Sequence, residues 1–499
     1  MSELINSVTT ALWEYILIYL LLGAGMYFTV RSRFIQIRYF FHAWKITLQS
    51  RQTSRHQISS FQALCTSMAA HVGTGNLAGV AIAIYIGGPG AVFWMWLVAM
   101  LGMASGFVEN TLAQLYKTNN NDGTFRGGPA YYIEKALGLR WLGVLFSLLL
   151  LITFGFIFNA VHSNSVSQAI SGHTAITPEM IGVVMAVVTA LIVFRGIRSI
   201  VHFAEKVVPL MAIIYLMVAL IVVVMNLPQI PQIVKLIFES AFGLQSAAGG
   251  ALGYSAAQAI MQGIKRGLFS NEAGMGSGPN AAATATPHPH HPAAQGIVSM
   301  ISVFIDTIVI CTATAAIVLM SGQLDQGNTL NGIQLTQASL ANVFGGWGEW
   351  FISVAVIFFG FTSVIANYYY GESNLLFMKN NQKLLFCYRA AVVILVYIGA
   401  VSSLESVWII ADLAMGVMAL INLIVIVLLS GPVMQVLKDY DKQVKTGQSP
   451  SFNRHNFPFL NKTMDDDVWI DFPGGRDDLD IDNKRTSAVD DNLPEAEGL

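Results

Sequence analysis

Charged residues are scarce in this chain. Lysine, arginine, aspartate and glutamate make up 11% of its 499 residues, whereas hydrophobic residues make up 54%. Soluble domains carry roughly 25% charged residues. Cysteine is also rare: the three cysteines, at 65, 311 and 387, have neither the number nor the spacing of a disulfide framework or a zinc site. The composition therefore excludes a soluble enzyme and indicates an all-α membrane protein with several spans.

Apolar runs of about twenty residues recur along the chain, and each can cross a bilayer. We count about eleven, at 12–30, 61–86, 91–115, 141–169, 177–194, 206–226, 247–263, 295–320, 347–370, 386–403 and 407–430. No basic region with a cleavage site precedes the first run, so we expect it to be retained as an anchor.

The basic residues indicate how the chain crosses the membrane. With the N-terminus outside, 26 of the 27 lysines and arginines fall in cytoplasmic segments or the C-terminal tail, and Lys235 is the exception. This is the bias expected of cytoplasmic loops. We therefore predict an outside N-terminus and a cytoplasmic C-terminus.

A Val-Gly-Thr-Gly-Asn sequence at 72–76 interrupts the second run. Two glycines within three residues form helix poorly, so we expect the helix to unwind there. Irregular backbone at that depth is tolerated where it lines a cavity. The sequence therefore predicts a binding site inside the membrane.

A second break is predicted five spans later, in Gly-Leu-Phe-Ser-Asn-Glu-Ala-Gly-Met-Gly-Ser-Gly at 267–278. Interrupted segments at matching positions of two halves are typical of inverted-repeat transporters. We predict an N-terminal extra span and basic connector at 1–60, repeats at 61–240 and 241–435, and a mostly disordered acidic tail at 436–499. The connector between 34 and 60 is either an interfacial helix or a plain basic loop.

The first break suits two kinds of ligand. The N–H groups of Thr74 and Gly75 begin a half-helix whose positive end can bind a carboxylate. The carbonyl groups of Ala69 and Val72, released at the end of the preceding half-helix, can coordinate Na⁺.

Two interpretations apply to several other polar side chains. Thr362 and Ser363 either supply oxygens to the cation or bond back to their own helix carbonyls. His162 either contacts a ligand or is a satisfied interior residue. Membrane-embedded Glu109, Asp306 and Asp412 are expected to pair with a loop arginine or with interior hydroxyls. The histidine- and proline-rich run at 287–292 has no regular ligand geometry and is expected to be a connector.

Together, the motifs at 72–80, 87–91, 267–278 and 370–372 resemble the alanine or glycine:cation symporter family of prokaryotes. The resemblance covers about residues 10–435. It implies a five-plus-five inverted-repeat fold similar to that of the bacterial leucine transporter, placed in the inner membrane. It also implies Na⁺-coupled uptake of a small neutral amino acid, without a cofactor.

The resemblance also implies residue roles. It carries substrate-carboxylate contact onto Thr74 and Gly75 and makes Asn76 a substrate or ion neighbour. It carries a sodium site onto the carbonyls of Ala69 and Val72 and the hydroxyls of Thr362 and Ser363.

Two positions expected to face the substrate depart from the family pattern. Family members usually carry glutamine where this chain has His162, and some carry tryptophan where it has Asn367. The second replacement enlarges the pocket and makes it more polar, which favours a larger or more polar amino acid. His162 could also make transport pH-sensitive.

Three alternatives to a sodium symporter differ in how well the sequence fits them. Proton coupling is the alternative to sodium, because carboxylates and His162 can titrate. An ion channel is suggested by the likeness of Val-Gly-Thr-Gly to a potassium filter, but one copy per chain fits a tetrameric pore poorly. A membrane enzyme lacks any paired nucleophile and base.

Overall fold

The computed structural model describes residues 2–50, 57–120, 124–194, 197–243, 251–324 and 330–469. Parts of three expectations lie outside these residues: the arginines at 51 and 55 of the basic connector, the start of the span predicted at 247, and the tail beyond 469.

Helices make up most of the described chain. In chain order they are α1 (Ile5–Arg31), α2 (Ile35–Arg38), α3 (Phe40–Gln49), α4 (Ser60–His71), α5 (Gly75–Gly87), α6 (Ala91–Leu115), α7 (Pro129–Leu137), α8 (Arg140–Ser171), α9 (Pro178–Val193), α10 (Ile197–Met225), α11 (Ile230–Ala241), α12 (Ala251–Asn271), α13 (Gly278–Ala282), α14 (Pro292–Met320), α15 (Ile333–Phe344), α16 (Gly346–Met378), α17 (Gln382–Val401), α18 (Leu404–Leu428), α19 (Ser430–Lys445) and α20 (Pro458–Thr463). Short 3₁₀ turns lie at Leu227–Gln229 and Arg454–Asn456.

Each of the eleven predicted runs coincides with a helix. Eight single helices among the described residues are long and apolar enough to cross a membrane, and α4 with α5 passes the same test as a bent pair. The two other runs correspond to α9, a shorter apolar helix of 16 residues, and α12, which carries Lys265 and Arg266. The chain is therefore a multi-pass membrane protein.

The helix α10 shows how the spans divide their surface. Leu210, Ile213, Met217 and Leu220 follow helical spacing and are more than half exposed. Tyr215, on the other face, is buried. A helix that is apolar all round suits a bilayer, where lipid covers the exposed residues and protein the others.

Two short strand pairs lie at one end of the bundle, the end that also carries α19 and α20; we call it the tail face. Strand β1 (Ile58–Ser59) pairs in parallel with β4 (Ala285–Thr286). Strand β2 (Thr118–Asn119) pairs antiparallel with β3 (Phe125–Arg126). The first pair joins the start of α4 to the segment that follows α13.

The C-terminal region up to Val468 is packed, whereas the sequence predicted a mostly disordered tail from residue 436. Helix α19 continues from α18, and Tyr440 and Leu460 are buried. The indole N–H of Trp469 donates to the Gln114 carbonyl at 2.9 Å. Buried apolar residues, widely spaced along this segment, hold it against the bundle. Because the average hydrophobicity of the segment is low, the sequence did not indicate that it folds. The connector contains helices at 35–38 and 40–49, with buried Ala43 and Ile46.

Candidate functional site

The span formed by α4 and α5 bends by 50° at the predicted break. The last ladder bond of α4 runs from the Val72 N–H to the Met68 carbonyl at 2.8 Å. The Gly73 N–H instead donates to Asn76 Oδ1 at 2.8 Å, so the Ala69 carbonyl loses its helical donor. Carbonyl groups at the end of α4 and N–H groups at the start of α5 therefore meet in one buried place.

Two side chains meet at the start of α5. Thr74 Oγ1 lies 2.8 Å from His162 Nδ1, and both residues are buried. Helix α16 approaches them at Gly360, where an added methyl group would lie 3.3 Å from Thr74 Cγ2. The imidazole ring of His162, on α8, therefore lies beside the N-terminal end of α5.

The two hydroxyls of α16 behave differently. Ser363 Oγ donates to its own helix at the Phe359 carbonyl, 2.9 Å away, and lies 3.2 Å from the Ala70 carbonyl of α4. Thr362 Oγ1 lies 3.0 Å from the carbonyls of Phe358 and Phe359, and its contact outside the helix is Met211 Sδ at 3.9 Å. Ser363 therefore reaches the break, and the Thr362 hydroxyl is directed to its own helix and α10.

Asn76 connects the break to two distant helices. Its Nδ2 donates to Ser270 Oγ at 2.9 Å and to Asp306 Oδ1 at 2.7 Å. The Asp306 carboxylate also accepts from Ser270 Oγ at 2.6 Å and from Thr307 Oγ1 at 2.9 Å. These bonds fix the buried Asn76 side chain between α5, α12 and α14. Asp306 pairs with interior hydroxyls, one of the two arrangements that the sequence predicted.

The second break lies between α12 and α13 and has a strained backbone. Glu272 has φ 55°, and Gly274 has φ 86°, a conformation that glycine adopts without strain. Side chains bind both peptide groups of Gly274. The Gly274 N–H donates to Glu109 Oε1 at 3.0 Å, and the Gly274 carbonyl accepts from Asn422 Nδ2 at 2.9 Å. Glu272 Oε2 accepts from Ser277 and lies 3.4 Å from His71 Nε2.

An aromatic and charged layer covers the first break on the side away from the tail face. A methyl group on Gly75 would lie 2.7 Å from Phe269 Cδ1, so this ring lies directly over the backbone. The Phe269 ring packs on Trp408 at 4.6 Å, and the Arg266 guanidinium lies 4.4 Å from the Trp408 ring. Arg266 pairs with Asp412 at 2.6 Å, so this carboxylate has an arginine partner, but the arginine lies within α12 and not in a loop as the sequence predicted.

Asn367 lies one helical turn beyond Ser363 on α16. It is fully buried, and neither its Oδ1 nor its Nδ2 has a hydrogen-bond partner. A buried amide without partners is costly, which is why most buried polar groups in proteins are paired.

The chemistry of the site is that of binding. Free N–H groups of a half-helix attract an anion, and free carbonyls and hydroxyls suit a hard cation. Within the described part of the chain, no three His, Cys, Asp or Glu residues are placed to hold a metal ion. The run at 287–292 leads into α14, where His291 Nδ1 accepts from the Ala293 N–H.

Sequence reasoning missed Ser270 and the bond between Asp306 and Asn76. The position of Ser270 inside the motif at 267–278 could have indicated its role. No feature of the sequence could have indicated the bond between Asn76 and Asp306, which are 230 positions apart.

The fold is similar to that of MhsT, whose crystal structure was determined in complex with L-phenylalanine. The TM-score is 0.50, the sequence identity is 15%, and the match covers 84% of this chain and 95% of MhsT. The likeness identifies the five-plus-five inverted-repeat fold with broken helices.

The chain belongs to the sodium:alanine symporter family, which matches residues 1–454. It is 48% identical over 470 residues to the amino-acid carrier protein AlsT of Bacillus subtilis, covering 94% of this chain and 98% of AlsT. It is 40% identical over 449 residues to the sodium/alanine symporter AgcS of Methanococcus maripaludis, covering 88% and 97%. A putative sodium/proton-dependent alanine carrier protein of B. subtilis, YrbD, is 41% identical over 470 residues, covering 91% and 95%. The protein is an amino-acid symporter and not an enzyme.

Proposed function

We propose that this symporter imports a small neutral amino acid of the alanine or glycine class together with Na⁺. The observation that carries the proposal is the meeting of Ser363 Oγ with the Ala70 carbonyl, beside the unwound residues 72–74. The family description and the name of AgcS support both sodium and alanine.

The substrate carboxylate binds at the N–H groups of Thr74 and Gly75. Partial positive charge at a helix N-terminus stabilises an anion without a buried cationic side chain. His162, which contacts Thr74, and Asn76, Ser363 and Asn367 line the same site.

Na⁺ binds to the carbonyls of Ala69 and Val72 and to the hydroxyls of Thr362 and Ser363. The diverted Gly73 N–H supports this role for Ala69, because it leaves that carbonyl free of its helical donor. Thr362 joins the ion only after its hydroxyl turns from its own helix carbonyls, so Ser363 is the stronger of the two ligands.

The driving force of one Na⁺ is sufficient. An ion crossing about 100 mV releases roughly 2.3 kcal/mol. A tenfold sodium gradient adds about 1.4 kcal/mol, and the sum supports on the order of 500-fold accumulation.

The proposal includes the orientation of the protein in the membrane and its division into two repeats. The basic loops favour a prokaryotic plasma membrane location with the N-terminus outside and the tail face in the cytoplasm. Lys265 and Arg266 do not contribute to this bias, because they lie within α12 beside Asp412, on the side of the break away from the tail face, and not in a cytoplasmic loop. The two breaks lie five spans apart, which supports repeats at 61–240 and 241–435. Na⁺ and amino acid then enter from the side covered by Phe269 and leave at the tail face.

Proton coupling is the second candidate. In the described structure the buried Asp306 carboxylate accepts hydrogen bonds from the neutral side chains of Asn76, Ser270 and Thr307, and a carboxylate at membrane depth can carry a proton. The name of YrbD includes both ions.

Uptake of labelled alanine into proteoliposomes separates the two ions. With Na⁺ replaced by choline at constant pH, sodium coupling predicts loss of uptake. With a proton uncoupler in the presence of Na⁺, it predicts that accumulation persists. Full uptake in choline would refute the sodium proposal.

A further inference from the structure

The segment that follows α1 carries positive charge without negative charge. No aspartate or glutamate occurs between Glu14 and Glu109. The basic residues in the described part of this segment are Arg31, Arg33, Arg38 and Lys45. A basic segment directly beside a membrane span attracts a negatively charged partner.

A tight turn at Arg33 and Phe34 ends α1, and we call these two residues the elbow. Both have left-handed backbone conformations, with φ 58° and 57°, which residues other than glycine rarely adopt. The Arg33 N–H donates to the Val30 carbonyl at 3.0 Å. The Phe34 N–H donates to the Thr29 carbonyl at 2.7 Å, and both elbow side chains are exposed. Strained backbone of this kind is found preferentially at functional sites.

Helices α2 and α3 present one face to the bundle. They are almost continuous, because the Ala43 N–H donates to the Tyr39 carbonyl at 2.8 Å. On the packed face, the Tyr39 hydroxyl donates to Asp441 Oδ1 at 2.6 Å. The Phe40 ring lies 4.9 Å from the Phe304 ring. This face therefore packs against α19 and α14.

The opposite face is apolar and exposed. The side chains of Phe34, Ile37, Phe41 and Leu48 follow helical spacing, and their exposed fractions are 50%, 64%, 84% and 58%. A helix with such a stripe lies at the membrane interface with the stripe among the lipid chains. Lys45 lies between Phe41 and Leu48 on the same stripe, and the length of a lysine side chain lets its ammonium group reach the headgroups.

The basic residues differ in whether the protein itself pairs them. Arg38 forms a salt bridge with Asp441 at 2.8 Å. Within the described ranges, neither Arg33 nor Lys45 has a carboxylate within salt-bridge distance, and both side chains are exposed. The charges of these two residues are therefore open to an anion from outside the chain.

We propose that the elbow and the exposed face of α3 bind anionic phospholipid. Arg33 and Lys45 contact the phosphate groups, and Phe34 and Phe41 lie among the acyl chains. A guanidinium donates two parallel hydrogen bonds to a phosphate, and an ammonium supplies a compact charge. A zwitterionic phospholipid matches the apolar stripe but brings no net negative charge to the two bases, so the surface selects lipid by charge.

The test is thermal unfolding of the purified full-length protein in micelles of an uncharged detergent, titrated with phosphatidylglycerol or phosphatidylcholine. A ligand that binds the folded state raises the melting temperature. Each base near an anionic surface contributes about fivefold in affinity, so we expect phosphatidylglycerol to act at a mole fraction about 25-fold lower than phosphatidylcholine. Equal effects of the two lipids would overturn the proposal, and so would equal stabilisation by inorganic phosphate.

The double variant Arg33→Gln, Lys45→Gln removes both charges. We expect it to lose most of the preference for phosphatidylglycerol, about 25-fold. The matched control is Arg140→Gln, Lys235→Gln, which also removes one exposed arginine and one exposed lysine and should keep the preference. An unchanged preference in the first variant would overturn the proposal. An equal loss in both variants would assign the effect to net charge and would also overturn it.

The melting curve without lipid shows whether each variant folds. If the double variant does not fold, Lys45→Gln alone is expected to lose about fivefold of the preference. An unchanged preference in that single variant has the same meaning as in the double variant.

Discussion

The imidazole Nε2 of His71 lies 3.4 Å from Oε2 of Glu272, so the last residue of α4 contacts the first residue of the second break. The two side chains are buried and connect the interrupted segments of the two halves directly. Glu272 also accepts from Ser277 across the second break.

We therefore expect Glu272→Gln to destabilise the protein. Replacing the carboxylate weakens two buried hydrogen bonds, which lowers the free energy of unfolding by about 1–3 kcal/mol. Thermal unfolding of the purified variant measures the effect. The matched control is Glu134→Gln, which removes a partly exposed partner of Arg140 and should change little. Equal losses in both variants would contradict a special role for Glu272.

The two hydroxyls of α16 are expected to differ in their effect on sodium. Ser363→Ala removes the hydroxyl that reaches the Ala70 carbonyl and should raise the Na⁺ concentration for half-maximal uptake about tenfold. Thr362→Val removes a hydroxyl that bonds its own helix and should have a smaller effect. Sodium titrations of uptake for both variants decide the point, and a reversed order would exchange the roles of the two residues.

Close packing around the first break predicts which glycines can be replaced. A methyl group on Gly73 would lie 2.3 Å from Ser363 Oγ and 3.0 Å from His162 Cε1, whereas one on Gly79 would meet Trp408 at 3.5 Å. Overpacking a buried site costs about 1–3 kcal/mol. We expect Gly73→Ala to reduce uptake at least about tenfold and Gly79→Ala to keep it. Similar activity of the two variants would indicate that the backbone at 73 shifts freely.

The packing of the tail is expected to depend on pH. Burial lowers the pKa of His291, whose Nε2 lies 3.4 Å from Asp439 Oδ2 on α19. The hydrogen bond from His291 lowers the pKa of the Asp439 carboxyl. A histidine with a lowered pKa binds a proton more readily when unfolded, so stability is present above its ordinary pKa near 6.5 and is lost as the pH falls below it.

Limited proteolysis between residues 446 and 469 measures this dependence. Cleavage should be faster at pH 5.5 than at pH 7.5 in the parent protein, and His291→Gln should remove most of that difference. A pH dependence that persists in the variant would assign the effect to another group.

The sequence predicts the local features of this protein well. The break at 72–76 follows from glycine propensity, and the second from the glycines that permit positive φ at 274 and 276. Both are properties of adjacent residues. The family resemblance then directs attention to Ser363, which does lie at the break.

Features that depend on distant residues escape the sequence. No pattern of adjacent residues indicates that Asn76 bonds to Ser270 and Asp306. Nor does any such pattern indicate that the Thr362 hydroxyl bonds its own helix while Ser363 reaches the Ala70 carbonyl. The folded region up to Val468 was missed because a few buried apolar side chains, such as Phe452 and Leu460, hold a segment whose average composition is polar. Tertiary packing decides these cases.

The parallel pairing of Ile58 and Ser59 with Ala285 and Thr286 has a mechanical consequence. It joins the segment before α4, in the first broken span, to the segment after α13, in the second broken span. Any movement of α4 relative to the segment after α13 has to break these backbone contacts, so the two segments move as one unit while the pair is intact.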